Sequence, residues 1–124
     1  MKVLVIDGQG GGLGRQLVTA VKARYPEAEV LAVGTNSAAT NAMLKAGADQ
    51  AATGENSVAV ACRKADAIMG PVGIVIADSM LGEITPRMAV SIGQSQAKRI
   101  LIPVNLCDNI VVGVADLTMA KRVE

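Results

Sequence analysis

Histidine, phenylalanine and tryptophan are absent from this chain, and Tyr25 is its one aromatic residue. Without histidine, Ser-His-Asp triads, Cys-His dyads and His-ligated zinc are excluded. Without aromatics there is no platform on which to stack bases. A net charge of +1 gives no general attraction to nucleic acid, so no such partner is expected. Cys62 and Cys107 stand far apart, no CxxC occurs, and the acidic residues are scattered. Neither a disulfide framework nor a metal cluster is expected from that pattern. No apolar run reaches the roughly 18–20 residues of a membrane span. The N-terminus lacks the small-residue cleavage site of a signal peptide. The expectation is a cytoplasmic protein with reduced thiols and no membrane partner.

What the chain does have is aliphatic mass and glycine. Of its 124 residues, 51% are hydrophobic, 19% are charged and 13 are glycine. That composition and length predict a single folded domain over residues 1–124. Val3 to Ile6 is a continuous aliphatic run, read as a strand buried on both faces. A glycine turn follows. Leu13, Leu17, Ala20 and Val21 then recur at helical spacing until Pro26. Val30 to Val33 is a second strand, and Asn41, Met43 and Leu44 belong to a second helix stopped by Gly47. Gln50 to Ala52 predicts a short third strand, and Val58, Ala61, Cys62 and Ala65 the apolar face of a third helix.

Ala67 to Met69 is the next strand, ended by Gly70-Pro71. The apolar stretch Val72 to Ala77 fits strand or buried helix, and Pro71 favours a short helix. Thr85-Pro86 opens a further helix through Met88, Ala89 and Ile92. Ile100 to Ile102 and Ile110 to Val112 are the last two strand runs. Seven residues separate them, too few for a helical crossover, so they are expected to pair antiparallel. The alternation predicts an α/β fold: three-layer and Rossmann-like, mostly parallel, with an antiparallel C-terminal edge strand. Ligands of such sheets bind beyond the carboxyl ends of the strands.

The segment from Asp7 to Arg15 carries Gly8, Gly10, Gly11, Gly12 and Gly14. It misses the GxGxxG register, because Leu13 stands where the third glycine would fall. It fits GxxxGxG through Gly8, Gly12 and Gly14, a spacing that resembles the cofactor loop of short-chain dehydrogenases. Glycines let backbone approach a ligand closely, and a helix start favours an anion. A phosphate or pyrophosphate is the natural guest, with Arg15 adding charge. No Gly-Lys-Ser/Thr follows, so the segment is not a P-loop. The Tyr-x-x-x-Lys pair of those dehydrogenases is also missing, since Glu29 occupies the lysine position after Tyr25. NAD-binding folds commonly carry an acid after the second strand for the ribose hydroxyls. Here that place is Gly34-Thr35-Asn36, where Thr35 and Asn36 offer hydroxyl and amide groups or simply cap a helix.

Other polar residues fall at strand ends. Asp7 can take either of two roles, binding a ligand hydroxyl or metal-bound water, or holding the amides of its own loop. Thr53, Gly54, Glu55 and Asn56 form a helix start that can bind a second anion or simply cap the helix. Asp78, Ser79 and Glu83 follow the apolar stretch, and Asn105, Cys107 and Asp108 follow the strand at Ile100. Glu55, Asp78 and Glu83 are acid/base candidates by residue type, and Asp7 joins Glu55 and Glu83 in an enzyme reading. Cys107 lacks a histidine to activate it. Cys62 lies on a helix stripe and reads as core.

Several segments together resemble a small bacterial family, found mainly in clostridial relatives and catalogued as domain of unknown function 3842. They are Val5 to Gly14, Gly34 to Asn36, Met43 to Ala48, Ala52 to Asn56, Gly70 to Ile74 and Ser79 to Glu83. The resemblance implies a bacterial, cytoplasmic, stand-alone Rossmann-like domain, and it brings no reaction or ligand.

The leading functional expectation is a protein that binds a nucleotide or dinucleotide, NAD(P) or another, as a small phosphate-containing ligand. Its candidate binding set is Asp7, Gly8, Gln9, Gly10, Gly11, Gly12, Leu13, Gly14, Arg15, Gly34, Thr35, Asn36, Thr53, Gly54, Glu55, Asn56, Ser79 and Asn105. One alternative is a non-catalytic homodimer with a structural glycine loop and Val72 to Leu81 as its interface. Another is a minimal enzyme on a phosphorylated metabolite. A homodimer is compatible with the leading reading as well.

Overall fold

Along the first strand, β1 (Lys2–Asp7), Val3 and Val5 alternate with Leu4 and Ile6, and both sets are buried. That pattern requires cover on both faces of the sheet, and the computed structural model has it. The structure describes residues 1–104 and 109–114. Its element order is β1, α1 (Gly12–Arg24), β2 (Glu29–Gly34), α2 (Ser37–Lys45), β3 (Gln50–Thr53), α3 (Glu55–Cys62), β4 (Ala67–Pro71), a one-turn 3₁₀ helix (Val72–Val75), α4 (Pro86–Gln94) and β5 (Lys98–Ile102).

The strands form one sheet in the order β3-β2-β1-β4-β5, and every pairing is parallel. Val3, Val5, Val30 and Ala32 pack on one face against Leu13, Leu17, Val18 and Val21 of α1 and Met43 of α2. Leu4, Ile6, Val33 and Ile68 pack on the other against Val58 and Cys62 of α3 and Met88 and Ile92 of α4. Full burial of an aliphatic side chain contributes about 1.5–3 kcal/mol, so these two layers hold β1 at the centre.

Local chemistry sets the helix ends. The Asn36 side chain accepts the Ala39 N–H at the start of α2. Thr85 accepts the Met88 N–H at the start of α4, with Pro86 in the first turn. Both are N-caps of ordinary type. The helix expected after Pro71 forms as the single 3₁₀ turn, with Gly73 and Ile74 buried. Among the described residues, no helix is long and apolar enough to cross a membrane.

The antiparallel C-terminal strand expected at Ile110 to Val112 does not form. Residues 112 and 113 lie in a turn, closed by the Val114 N–H on the Val111 carbonyl at 3.2 Å, with Gly113 at φ 90°. Ile110 and Val112 are 86% and 96% exposed. A β-branched run becomes a strand only where it has a face to bury. Here the turn interrupts the run before it can pair with β5.

Candidate functional site

From β1 the chain steps to β2 and β3 on one side, then returns to β4 and β5 on the other. The reversal lies between β1 and β4, which is where open parallel sheets bind ligands past their carboxyl ends. The glycine loop occupies that place. Gln9 and Gly11 take left-handed backbone at φ 51° and 73°, and the Gly11 N–H closes the turn on the Gly8 carbonyl at 2.9 Å.

Asp7 supports the loop from beneath. Its Oδ1 accepts the Gly8 N–H at 2.8 Å and its Oδ2 the Gly14 N–H at 2.7 Å. The residue is 4% exposed. Burial pushes its carboxyl above the usual value, against the pull of the two amide bonds, and the nearby Glu83 charge adds to the rise. Both oxygens are committed to loop amides, the structural one of the two roles the sequence allowed.

Glu83 closes the crevice from above. Its Oε1 accepts the Gln9 N–H at 2.8 Å, the Asn36 Nδ2–H at 2.9 Å and the Thr35 hydroxyl. Partial burial works to raise its pKa, but the bonds from Thr35, Gln9 and Asn36 outweigh that and hold it below the ordinary glutamate value. The segment that delivers it is bent hard. Asp78, Met80 and Leu81 sit at φ 66°, 58° and 56°, and Gly82 at 86°. Left-handed backbone at a non-glycine residue costs on the order of 1 kcal/mol. Buried Met80 and Ile84 anchor the segment, and the Asp78 N–H to Ile84 carbonyl bond at 2.7 Å closes its base.

Helix α1 begins at Gly11 with no side-chain cap and no acid in its first turn. The N–H groups of Gly10, Gly12 and Leu13 meet no acceptor among the described residues. The glycines around them divide by role. A Cβ on Gly8 would meet Thr35, Met80 and Glu83, one on Gly11 the Ala39 backbone, and one on Gly14 Met43 and Asp7. Packing therefore explains those three. A Cβ on Gly10 would meet nothing within 4 Å, so packing does not explain the fourth.

The remaining expected residues divide between this crevice and other places. Leu13 puts its side chain in the core and offers the site only its backbone. Arg15 is exposed on α1. Gly34 is required by Thr40, which its Cβ would strike. The Thr53 hydroxyl is bonded to the Thr40 hydroxyl at 2.7 Å. Glu55 and Asn56 face Arg87 of α4, each at 3.4 Å, and among the described residues neither bonds the glycine loop. Ser79 is buried with its hydroxyl on the Gly73 carbonyl. Asn105, Cys107 and Asp108 lie outside the described residues. Cys62 is core, and burial pushes its thiol up to about 11.

The apolar run expected as an interface places Gly73, Ile74 and Met80 within the protein's own core, while Leu81 is 85% exposed. Among the described residues, no group of three His, Cys, Asp or Glu side chains is placed to hold a metal. A groove of about 430 Å³ beside α3, lined by Leu31, Val33, Ala52 and Val60, does not include the glycine loop.

Sequence reasoning placed Glu83 in a cluster able to reach the cleft and named it an acid/base candidate, but left it out of the binding set. Its usable signal was position. It follows β4, on the far side of the switch point, and Gly82 marks a turn that can bring it back over the loop.

No curated protein matches the chain. Among solved structures it is similar to a dodecameric FMN-dependent UbiX-like decarboxylase from Escherichia coli O157:H7. The two are 20% identical, with 85% of this chain and 67% of that chain covered and a TM-score of 0.48. That likeness is one of general α/β layout and transfers no ligand. The family profile of domain of unknown function DUF3842 matches residues 2–124, and the chain belongs to that family.

Proposed function

We propose that this protein binds a nucleotide or dinucleotide, NAD(P) or another, by seating a phosphate on the loop between β1 and α1. The observation that carries this reading is the set of open N–H groups of Gly10, Gly12 and Leu13 at an uncapped helix start, placed at the switch point of the sheet. Unpaired amides and the positive end of a helix favour an anion, and a phosphate offers enough oxygens for several of them. Gly10 supports the same reading, because the space its missing side chain leaves is not used by the protein. The hydroxyl and amide of Thr35 and Asn36 stand beside the loop, where a ribose would follow the phosphate.

Isothermal titration of the folded protein with NAD, NADP, ATP and inorganic pyrophosphate tests the reading. At least one is expected to bind with one-to-one stoichiometry. Silence from all four overturns it.

A further inference from the structure

Three donors from two separate parts of the chain converge on one point above the glycine loop. They are the Gln9 N–H, the Thr35 hydroxyl and the Asn36 Nδ2–H, and Glu83 Oε1 holds the point. One oxygen that accepts several donors is the arrangement proteins build for an anion. The local fold is closed without it. The Asn36 side-chain oxygen already caps α2, and the Thr35 N–H already bonds the Asp7 carbonyl at 3.0 Å.

The open Gly10 N–H is next along the chain from Gln9, and consecutive Cα atoms are about 3.8 Å apart. An anion on Gly10 and the carboxylate on Gln9 are therefore neighbours of like charge, with Asp7 beneath them. At that spacing they repel, and a ligand binds less well while Glu83 stays in place. Glu83 is half-buried, and Met80 and Ile84 hold its segment in the core. Its side chain can swing to solvent while the backbone stays.

We propose that Glu83 is a built-in occupant of the anion site: its carboxylate holds the three donors when the site is empty and yields them to a phosphate or carboxylate oxygen of the ligand. This gating rests on the anion-binding reading of the same loop.

Inorganic pyrophosphate and NAD are titrated into the wild type, Glu83→Gln and Glu83→Ala. Both variants are expected to bind at least one probe about tenfold more tightly than the wild type, as removal of a competing closed state requires. Binding that is equal or weaker in the folded variants overturns the gating and leaves the anion site standing; a weaker result makes Glu83 a direct ligand contact. No binding of either probe to any of the three proteins overturns the gating, and silence from NADP and ATP as well overturns the anion site. A crystal structure of the wild type with pyrophosphate decides even if the variants fail to fold. Glu83 turned away from Gln9, Thr35 and Asn36 supports the gate, and Glu83 still bonded to them overturns it.

Discussion

Helices α1 and α3 both start on a glycine without a side-chain cap, yet their surroundings differ. Gly11 leads α1 at the end of the central strand, and no acid lies in the first turn. Gly54 leads α3 at the end of edge strand β3, and Glu55 stands in the first turn. At α3 the chain supplies its own anion to the positive helix end, and Arg87 pairs with that anion at 3.4 Å. At α1 the nearest acid, Asp7, comes from the strand beneath. It takes Gly8 and Gly14 and leaves Gly10, Gly12 and Leu13 without an acceptor among the described residues. Glycine at a helix start does not separate a binding loop from a turn. On the proposed reading, the place of the strand in the sheet and the source of the local anion do.

The sharpest test of this difference removes the acid under α1. Asp7→Ala leaves two buried amides without partners, and each costs roughly 1–3 kcal/mol. Urea unfolding is expected to show a loss of about 2–4 kcal/mol. Asp7→Asn is expected to lose less, since one acceptor remains and the buried charge is gone. If Asp7→Ala is as stable as the wild type, the loop does not need its support.

Next come the two glycines themselves. The Cβ of Gly10→Val would meet nothing within 4 Å, so its melting temperature should stay near that of the wild type. Its nucleotide affinity is expected to fall at least about tenfold, or about 1.4 kcal/mol. Gly54→Ala should behave in the opposite way. At φ 102° it strains the backbone and costs about 1 kcal/mol in stability, with nucleotide affinity unchanged. A variant pair that swaps these outcomes would falsify the assignment of ligand binding to α1.

The contribution of Glu83 is smaller and depends on pH. Its folded-state pKa is lowered from 4.5, so its bonds stabilise the fold above that value and lose their effect as pH falls through the folded pKa. The wild type should therefore exceed Glu83→Gln in stability near neutral pH, and the gap should close on acidification. Paired unfolding curves at about pH 7 and about pH 3 check the sign. The smallest effect belongs to the α3 side. Arg87→Ala breaks an exposed ion pair and should leave both the melting temperature and nucleotide titrations unchanged within error.

Much of this molecule was legible in the residues. Val3 to Ile6 had to be a strand with cover on both sides, and Thr85-Pro86 had to open a helix. The glycine loop declared itself by composition and by its place after the first strand. The other half of the site was legible only as a residue able to reach the cleft, for a physical reason. Glu83 reaches Gln9 only after β4 has folded beside β1 and a run of left-handed residues has turned the chain back. No local period or spacing encodes that return. Thr53 to Asn56 match an anion site in their local pattern, but Thr53 bonds Thr40 and Glu55 and Asn56 face Arg87 of α4, partners that no local spacing encodes. Ile110 to Val112 looked like a strand because β-branched content was weighed without the turn at Gly113.

The two bonds of Asp7 bear on how fast a ligand is taken up. They hold the glycine loop in shape with no ligand present, ready for the proposed guest. A guest then loses little affinity to ordering the backbone, and the ordering entropy that slows binding to floppy loops is already spent. Encounter should be limited by diffusion and by the departure of one side chain, and differences in affinity among guests should be set by how slowly each one leaves.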